Sequence, residues 1–197
     1  MTASPIGVGL LGLGTVGSAV ARAMAGRPRR IDAMAGRPVR LVAATVRDAS
    51  KARDAGGVSL TTDPFAVLDD PSVHVVVEVI GGTMPAFDLH LAAFERGKHV
   101  VTANKELVAK EWDRLHEAAR LAKRELRFEA SVAAAVPVIA AARQLAASRP
   151  RIVRGLLNGT TTYICSQLDG GVSFADALAE AMRKGYAEAD PIADVDG

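Results

Sequence analysis

A glycine-rich turn near the N-terminus carries the clearest chemical signal in this chain. Residues 12–17 read Gly-Leu-Gly-Thr-Val-Gly, directly after an apolar run at 6–11 and before an alanine-rich stretch at 18–25. In a strand–turn–helix unit of this kind, Gly12 allows the tight turn, Gly14 lets the backbone approach a pyrophosphate and Gly17 lets the helix pack closely on the strand. The helix N-terminus adds free N–H groups and a positive dipole end. The turn predicts dinucleotide binding, and the alternative is a turn that only closes a strand–helix corner.

The end of the second predicted strand, at 40–46, is the position that selects between NAD and NADP. An acidic residue there holds the ribose 2′-hydroxyl of NAD, whereas an arginine favours the 2′-phosphate of NADP. Arg47 occupies this position, Asp48 follows it and Lys51 is nearby. We therefore expect NADP to be preferred, with Arg47 and Lys51 binding the phosphate. Two alternatives stay open: Asp48 turns inward and accepts NAD, or Arg47 and Asp48 form an exposed pair in a loop.

Lys105 is the first candidate for a role in the reaction itself. It follows a predicted strand at 99–102, and ligands of doubly wound sheets bind beyond the carboxyl ends of the strands. A lysine at the start of a helix is poorly placed for the helix dipole, and this local cost favours a functional role. The alternative is a solvated lysine.

Two further segments have compositions that fit a polar ligand. Small residues at 130–136 follow Glu129, and the carbonyls of such a backbone together with one carboxylate can bind a hard cation. By themselves these residues favour a close-packed hinge between domains. Near the end of the chain, Glu188 and three aspartates follow Gly185, a natural residue for ending a helix. This cluster is compatible with a polar substrate site, but its composition alone favours a flexible acidic tail.

Predicted strands and helices alternate along most of the chain and bring these residues to one edge of a sheet. The strands are predicted at 6–11, 40–46, 73–80, 99–102 and 127–129; the helices begin at 18 or span 62–68, 85–96 and 105–123. In the helix at 62–68, Asp63 is the expected cap and Pro64 the first residue. The segment 27–38, rich in Arg, Gly and Pro, is expected to be a loop. The alternation predicts an α/β fold with a Rossmann-type doubly wound parallel sheet over residues 1–135.

The pattern changes after about residue 136. Helices are predicted at 137–147, 160–168 and 174–184, with one strand at 152–157. A single strand cannot form a stable sheet, so residues 136–197 are expected to be the first part of an α+β substrate-binding and dimerisation domain. An incomplete sheet favours pairing with a second copy across a two-fold axis, and we expect a homodimer.

Composition excludes several classes of function. The formal net charge is +2 and aromatic residues make up 4% of the chain, so neither an electrostatic nor a stacking surface for nucleic acid is expected. The N-terminus lacks a secretory pattern, and no apolar run reaches the ~20 residues of a membrane span. The single cysteine, Cys165, fits a cytoplasmic protein without disulfides and is expected in the core. The four histidines lack ligand spacing and are expected to be packing or surface residues.

Six segments, taken together, resemble homoserine dehydrogenases. They cover essentially the whole chain in the family's order: GLGTVG at 12–17, VEVIGG at 77–82, TANKEL at 102–107, FEASV at 128–132, LNGTTTYI at 157–164 and GYAEADP at 185–191. The last two are specific to the family, whereas the first is shared by many dehydrogenases. The resemblance implies reversible NAD(P)-dependent interconversion of L-homoserine and L-aspartate 4-semialdehyde, on the route to threonine, methionine and isoleucine.

The resemblance also implies roles for individual residues. Thr15 and Val16 lie along the cofactor and Gly185 borders it, while Lys105 approaches both cofactor and substrate. The substrate pocket is lined by Gly159, Thr160, Tyr186 and Glu188, and Lys105 and Glu188 are the expected catalytic residues. A sodium ion that ties the two domains together is held by Glu129 and by the backbone of Val132, Ala134 and Val136.

The chain departs from the family pattern at two places. Alanines occupy 133–135, where the family often has glycine, and a positive φ there would be strained for alanine. The family continues with an Asp and a Lys shortly beyond the point where this sequence ends, and that Lys is the expected proton donor. We therefore expect residues 1–197 to bind dinucleotide but to turn over homoserine poorly. The rival hypotheses are a nucleotide-binding fragment or sensor without turnover, and another semialdehyde-type NAD(P) dehydrogenase. The second class uses a cysteine nucleophile, and the place of Cys165 in a predicted apolar helix argues against it.

Overall fold

The computed structural model describes residues 4–48, 50, 58–133, 136–152, 154–156 and 158–187. The chain divides into two compact units, Met1–Ala135 and Val136–Gly197. Within the described residues, no helix combines the length and the apolar character that crossing a membrane requires.

The first unit is built on a six-stranded parallel sheet. The strand order is β3-β2-β1-β4-β5-β6. Successive strands are added outward on one side from β1 to β3 and on the other side from β4 to β6, so the direction of winding reverses between β1 and β4. The strands are β1 (Ile6–Leu11), β2 (Val39–Thr45), β3 (Ser59–Thr61), β4 (Val73–Glu78), β5 (His99–Thr102) and β6 (Leu126–Arg127). In register, Leu11 at the end of β1 pairs with Thr45 on one side and Glu78 on the other. The predicted doubly wound α/β fold is confirmed.

The described helices of this unit pack against its strands or against one another, and a parallel sheet needs such cover. They are α1 (Thr15–Gly26), α2 (Pro28–Ala35), α3 (Pro64–Leu68), α4 (Ala86–Glu95), α5 (Lys105–Lys110) and α6 (Trp112–Leu121). The predicted cap of α3 is confirmed, because Asp63 accepts a hydrogen bond from the N–H of Phe65 and Pro64 is the first helical residue. The largest fully buried side chains come from strands and helices alike: Leu10, Leu11, Leu68, Val76, Val100, Leu107 and Leu115.

Three predictions about the first unit were wrong. The segment 27–38 contains helix α2, which starts at Pro28 and ends at Gly36 with φ 69°; proline and glycine there bound a helix and do not break one. The predicted helix 105–123 is two helices, because Glu111 leaves the helical region at φ −118° and ψ 27°. Glu129 lies in a 3-10 turn and not in a strand, since pairing with β5 ends at Arg127.

The described part of the second unit is helical. It contains α7 (Val138–Leu145) with a 3-10 turn after it, α8 (Gly159–Asp169) and α9 (Phe174–Arg183). The predicted strand at 152–157 does not form in residues 152 and 154–156, because no described strand of this unit offers a hydrogen-bonding partner. Cys165 is exposed and not in the core, because α8 turns Thr160 and Ile164 inward and the next residue points away.

Candidate functional site

A cleft of about 740 Å³ opens at the carboxyl ends of the central strands, where the strand order reverses. This is the position at which doubly wound sheets bind their ligands. Segments from β1, β2 and β4 form its walls: Gly12–Gly14, Thr45–Asp48, Thr62, Pro64, Val79–Gly81, Met84, Pro85 and Leu89. The volume falls in the usual range for small-molecule and cofactor sites.

The three glycines of the turn have different steric surroundings. Gly12 has φ 101°, and its N–H donates to the buried hydroxyl of Thr45 at 3.0 Å. A Cβ at Gly17 would lie 2.1 Å from the carbonyl oxygen of Gly12, so only glycine lets α1 approach β1 this closely. A Cβ at Gly14 would meet no atom within 4 Å, although Gly14 lines the cleft. The protein itself therefore requires the first and last glycines, whereas the middle one leaves space at the cleft.

The predicted specificity residues lie at one end of this cleft. Arg47 is exposed and lines the cleft together with Asp48. The Asp48 carboxylate accepts hydrogen bonds from the N–H (2.9 Å) and hydroxyl (2.6 Å) of Ser50, which fixes it locally. Lys51, the second predicted phosphate ligand, falls outside the described residues. Thr15 and Val16 form the first turn of α1, and Val16 is half exposed.

Lys105 is the first residue of α5, directly after its cap. Asn104 accepts from the N–H of Leu107 at 3.1 Å, a cap that the sequence analysis did not predict. Lys105 is exposed and borders a second cavity of about 430 Å³, together with Val108, Ala109, Trp112, Ser131 and Val132. Its position beyond the end of β5 agrees with the predicted edge of the sheet, but it is not among the residues lining the larger cleft.

A fully buried acid, Glu78, was missed by the sequence analysis. Its Oε1 accepts from the N–H groups of Ile80 (2.7 Å) and Gly81 (3.4 Å), and its Oε2 accepts from the hydroxyl of Thr102 (2.7 Å). The Nε2 atom of His90, also fully buried, lies 3.4 Å from Oε2. Burial raises the pKa of Glu78, but the contacts with His90, Thr102 and Ile80 outweigh it and hold the pKa below its ordinary value. The sequence contained one signal for this residue, because Glu78 is an acid within a run of β-branched residues that predicts a buried strand.

The predicted substrate residues of the second unit lie close together. Thr160 is buried in the first turn of α8, next to Gly159, and its hydroxyl donates to the carbonyl oxygen of Tyr186. The rings of Tyr163 and Tyr186 are 5.1 Å apart. Gly185, with φ 74°, ends α9 and turns the chain toward Tyr186. Glu188 falls outside the described residues.

The predicted sodium ligands are described only in part. Glu129 is the first residue of a 3-10 turn and Val132 directly follows the turn. Ala133 has φ 53°, the left-handed conformation that is strained for alanine. Ala134 lies outside the described residues, and Val136 belongs to the second unit. No cluster of three or more His, Cys, Asp and Glu side chains suitable for a metal occurs in the described part of the chain. A site of one carboxylate and several carbonyls would not form such a cluster.

Two family models match the chain. One, described as the NAD binding domain of homoserine dehydrogenase, matches residues 12–129, and the other, described as homoserine dehydrogenase, matches residues 137–197.

Individual relatives agree with these matches. The chain is 46% identical over 199 residues to a homoserine dehydrogenase of Corynebacterium glutamicum and 41% identical over 196 residues to one of Neisseria gonorrhoeae. Each alignment covers 98% of this chain but only 44% and 45% of the relatives. The crystal structure of a homoserine dehydrogenase from Thiobacillus denitrificans superposes with a TM-score of 0.89 at 47% identity, again over 98% of this chain and 45% of the other. The chain thus spans less than half the length of the relatives it matches.

Proposed function

This chain belongs to the homoserine dehydrogenase family. We therefore propose that it acts as an NAD(P)-dependent oxidoreductase that interconverts L-homoserine and L-aspartate 4-semialdehyde. Residues 1–135 are the dinucleotide-binding domain in this proposal, and residues 136–197 belong to the substrate domain. The observation that carries the proposal is the glycine turn at the switch point of the sheet, beside a cleft of suitable volume.

The residues of the cleft fit a dinucleotide. Gly14 has no side chain and no atom within 4 Å of the place a Cβ would take, so a pyrophosphate has room against the backbone there. Gly14 is also the N-cap residue of α1, so the first N–H groups of this helix are available to the phosphates. The positive end of the helix dipole adds a favourable interaction with their charge.

NADP is the proposed preference over NAD. Arg47 is the exposed cation at the end of β2, and its guanidinium can bind a 2′-phosphate with two parallel hydrogen bonds. The competing acid, Asp48, already accepts two hydrogen bonds from Ser50, which disfavours its turning inward to a ribose. Lys51 supplies further positive charge in this proposal.

The chemistry is hydride transfer coupled to proton transfer. The nicotinamide ring supplies or accepts the hydride when the cofactor is bound. Lys105, at the carboxyl edge of the sheet, approaches the substrate oxygen and the cofactor and orients them for the reaction. Gly159, Thr160, Tyr186 and Glu188 bind the amino acid, with Glu188 as the second catalytic residue, and Gly185 borders the cofactor.

Three finer features complete the proposal. A sodium ion is held by Glu129 and by carbonyl groups of Val132, Ala134 and Val136. The protein is a cytoplasmic homodimer, and it acts on the route to threonine, methionine and isoleucine. These features follow the family resemblance of the segments at 128–136 and 157–191.

The proposal is tested by titrating the protein with NADPH and by measuring NADPH formation from NADP and L-homoserine. Binding is expected in wild type and is expected to weaken at least tenfold in Gly14→Ala, because the added methyl group occupies the space left for the pyrophosphate. An initial rate above that of a control without homoserine is expected. Failure of wild type to bind NADPH would refute the dinucleotide site. Binding with no homoserine-dependent rate, in an assay sensitive enough to detect the low turnover expected of residues 1–197, would refute the activity.

A further inference from the structure

The Glu78 carboxylate links two segments that border the proposed cofactor site. Glu78 is the last residue of β4 and Thr102 is the last residue of β5, so both lie at the carboxyl edge of the sheet. One carboxylate oxygen binds the backbone after β4, and the other binds the side chain at the end of β5. Burying a carboxylate costs free energy unless hydrogen bonds compensate for it, and here three donors do so.

The first segment is the glycine loop, residues 80–82, whose first two residues line the cleft. Gly81 and Gly82 have φ values of 80° and 71°. Glycine adopts positive and negative φ about equally readily, so the residues themselves do not fix the shape of the loop. The loop is held by bonds from outside it: Glu78 accepts from two of its N–H groups, and the amide of Asn104 donates to the carbonyl of Gly82 at 2.7 Å. Its shape at the cleft therefore depends on these partners.

The second segment is the start of helix α5, which carries Lys105. The hydroxyl of Thr102 donates to Glu78 and accepts from the N–H of Asn104 at 3.0 Å. Asn104 in turn caps α5 through the N–H of Leu107. The N–H of Asn104, which precedes Lys105, therefore donates to the Thr102 hydroxyl, and that hydroxyl donates to the Glu78 carboxylate.

We propose that Glu78 is a positioning residue that holds the glycine loop and the start of α5 in register with each other, so that the nicotinamide half of the cofactor and Lys105 meet in the correct geometry. This inference rests on the proposed dinucleotide function of the cleft. Arg47, the proposed 2′-phosphate ligand of the adenosine half, lies at the end of β2, on the other side of β1 from Glu78. Loss of the Glu78 contacts is therefore expected to weaken binding of the nicotinamide half more than binding of the adenosine half.

The carboxylate form is essential to this role because the three groups that hydrogen-bond to it, the N–H groups of Ile80 and Gly81 and the hydroxyl of Thr102, are all donors. A glutamine of the same shape offers only one acceptor oxygen, and its NH₂ group must face either the N–H groups of the glycine loop or the hydroxyl of Thr102. In the first arrangement the glycine loop loses its bonds to residue 78. In the second the Thr102 hydroxyl must accept from the NH₂ group, and its own proton loses the carboxylate as acceptor. The Nε2 atom of His90, from α4, approaches Oε2 to 3.4 Å without forming a hydrogen bond.

The experiment measures the binding of two probes, NADPH and 2′,5′-ADP, to the full chain and to Glu78→Gln. Losing a buried hydrogen bond to a charged group weakens NADPH binding by about tenfold or more. The affinity for 2′,5′-ADP, which lacks the nicotinamide half, is expected to stay within about threefold because the β1–β2 side is unchanged. An equal loss for both probes, or no loss for either, would overturn the proposal.

A matched pair of variants at Thr102 provides an independent test, including the case in which Glu78→Gln does not fold. Thr102→Val keeps the shape but removes the hydroxyl, whereas Thr102→Ser keeps the hydroxyl. NADPH binding is expected to weaken about tenfold in the valine variant and to recover in the serine variant, while the 2′,5′-ADP affinity changes in neither. Equal NADPH affinities for the two variants would contradict the proposal.

These outcomes separate the inference from the function on which it rests. If wild type binds neither probe, the dinucleotide function fails. If wild type binds both probes and the Glu78 and Thr102 variants bind them as wild type does, only the positioning role fails. A role confined to stability would lower the melting temperature and leave the ratio of the two affinities unchanged.

Discussion

Replacing Gly17 by alanine places a methyl group against the backbone of the turn that faces the proposed cofactor cleft. The new Cβ would lie 2.1 Å from the carbonyl oxygen of Gly12 and 3.3 Å from a methyl group of Val79. The oxygen belongs to the main chain and cannot rotate away, so α1 and the turn must separate by about 1 Å to restore normal contact. The alanine variant is therefore expected to disturb both the packing of α1 and the proposed nucleotide site.

The magnitude follows from two opposing terms. Overpacking of a rigid contact costs about 1–3 kcal/mol, and the backbone clash places Gly17→Ala at the upper end of that range. Alanine in a helix is favoured over glycine by up to about 1 kcal/mol, which leaves a net loss near 2 kcal/mol. Gly26, in the same helix, would have no atom within 4 Å of an added Cβ and is the matched control. Gly26→Ala is expected to be neutral or stabilising by up to about 1 kcal/mol.

Thermal unfolding of the two variants, followed by circular dichroism, measures this difference. One kcal/mol corresponds to about 2–4 °C in melting temperature for a chain of this size, so the variants should differ by roughly 4–12 °C. Titration with NADPH should also show a loss of at least tenfold in Gly17→Ala, because a 1 Å displacement misplaces the helix N-terminus. Equal melting temperatures for the two variants would refute the argument from close packing.

Three further predictions address specificity, stability and pH. Arg47→Ala should weaken NADPH binding by about 1–3 kcal/mol and leave NADH nearly unchanged in calorimetric titrations; equal losses would mean that Arg47 does not bind the phosphate. Lys98 is buried and donates to the carbonyls of Asp70 (2.7 Å) and Val73 (2.6 Å). In urea unfolding, Lys98→Met should therefore lower the free energy of unfolding by about 1–3 kcal/mol, and an unchanged free energy would contradict this. The pKa of Glu78 lies below its ordinary value of 4.5, so its carboxylate stabilises the fold above about pH 5 and this contribution is lost as the pH falls through the lowered pKa. Unfolding free energies of wild type should therefore fall more steeply than those of Glu78→Gln between about pH 6 and 3, and parallel curves would argue against the buried carboxylate.

Features that depend on neighbours in sequence could be predicted. The bounds of β1 and β5 agree with the predicted ranges, because continuous apolar runs identify strands that are buried on both faces. Asp63 and Pro64 define the start of α3 through a hydrogen bond that spans two residues. The order of strand, glycine turn and helix at 6–26 likewise depends on local chemistry.

Errors arose where local signals were ambiguous or where the partner was distant. The proline and glycine content of segment 27–38 favours a loop, yet in the structure Pro28 begins helix α2 and Gly36 directly follows its last residue. The three-residue strand β3 is too short to show a period, and its pairing with β2 alone makes it a strand. Cys165 was expected inside on the basis of an apolar helix, but the side chains that face α9 decide which side of α8 is buried.

The sequence by itself determined the fold class, the dinucleotide turn and the family, because periodicity, glycine placement and motif order are properties of adjacent residues. Only the tertiary structure revealed the role of Glu78, whose hydrogen-bond partner Thr102 is 24 positions away and whose neighbour His90 comes from α4. Pairing β4 with β5 brings these groups together, and burial then makes each missing hydrogen bond costly. The sequence shows an acid within a β-branched run, but which donors surround that acid is decided by the packing of strands and helices that are distant along the chain.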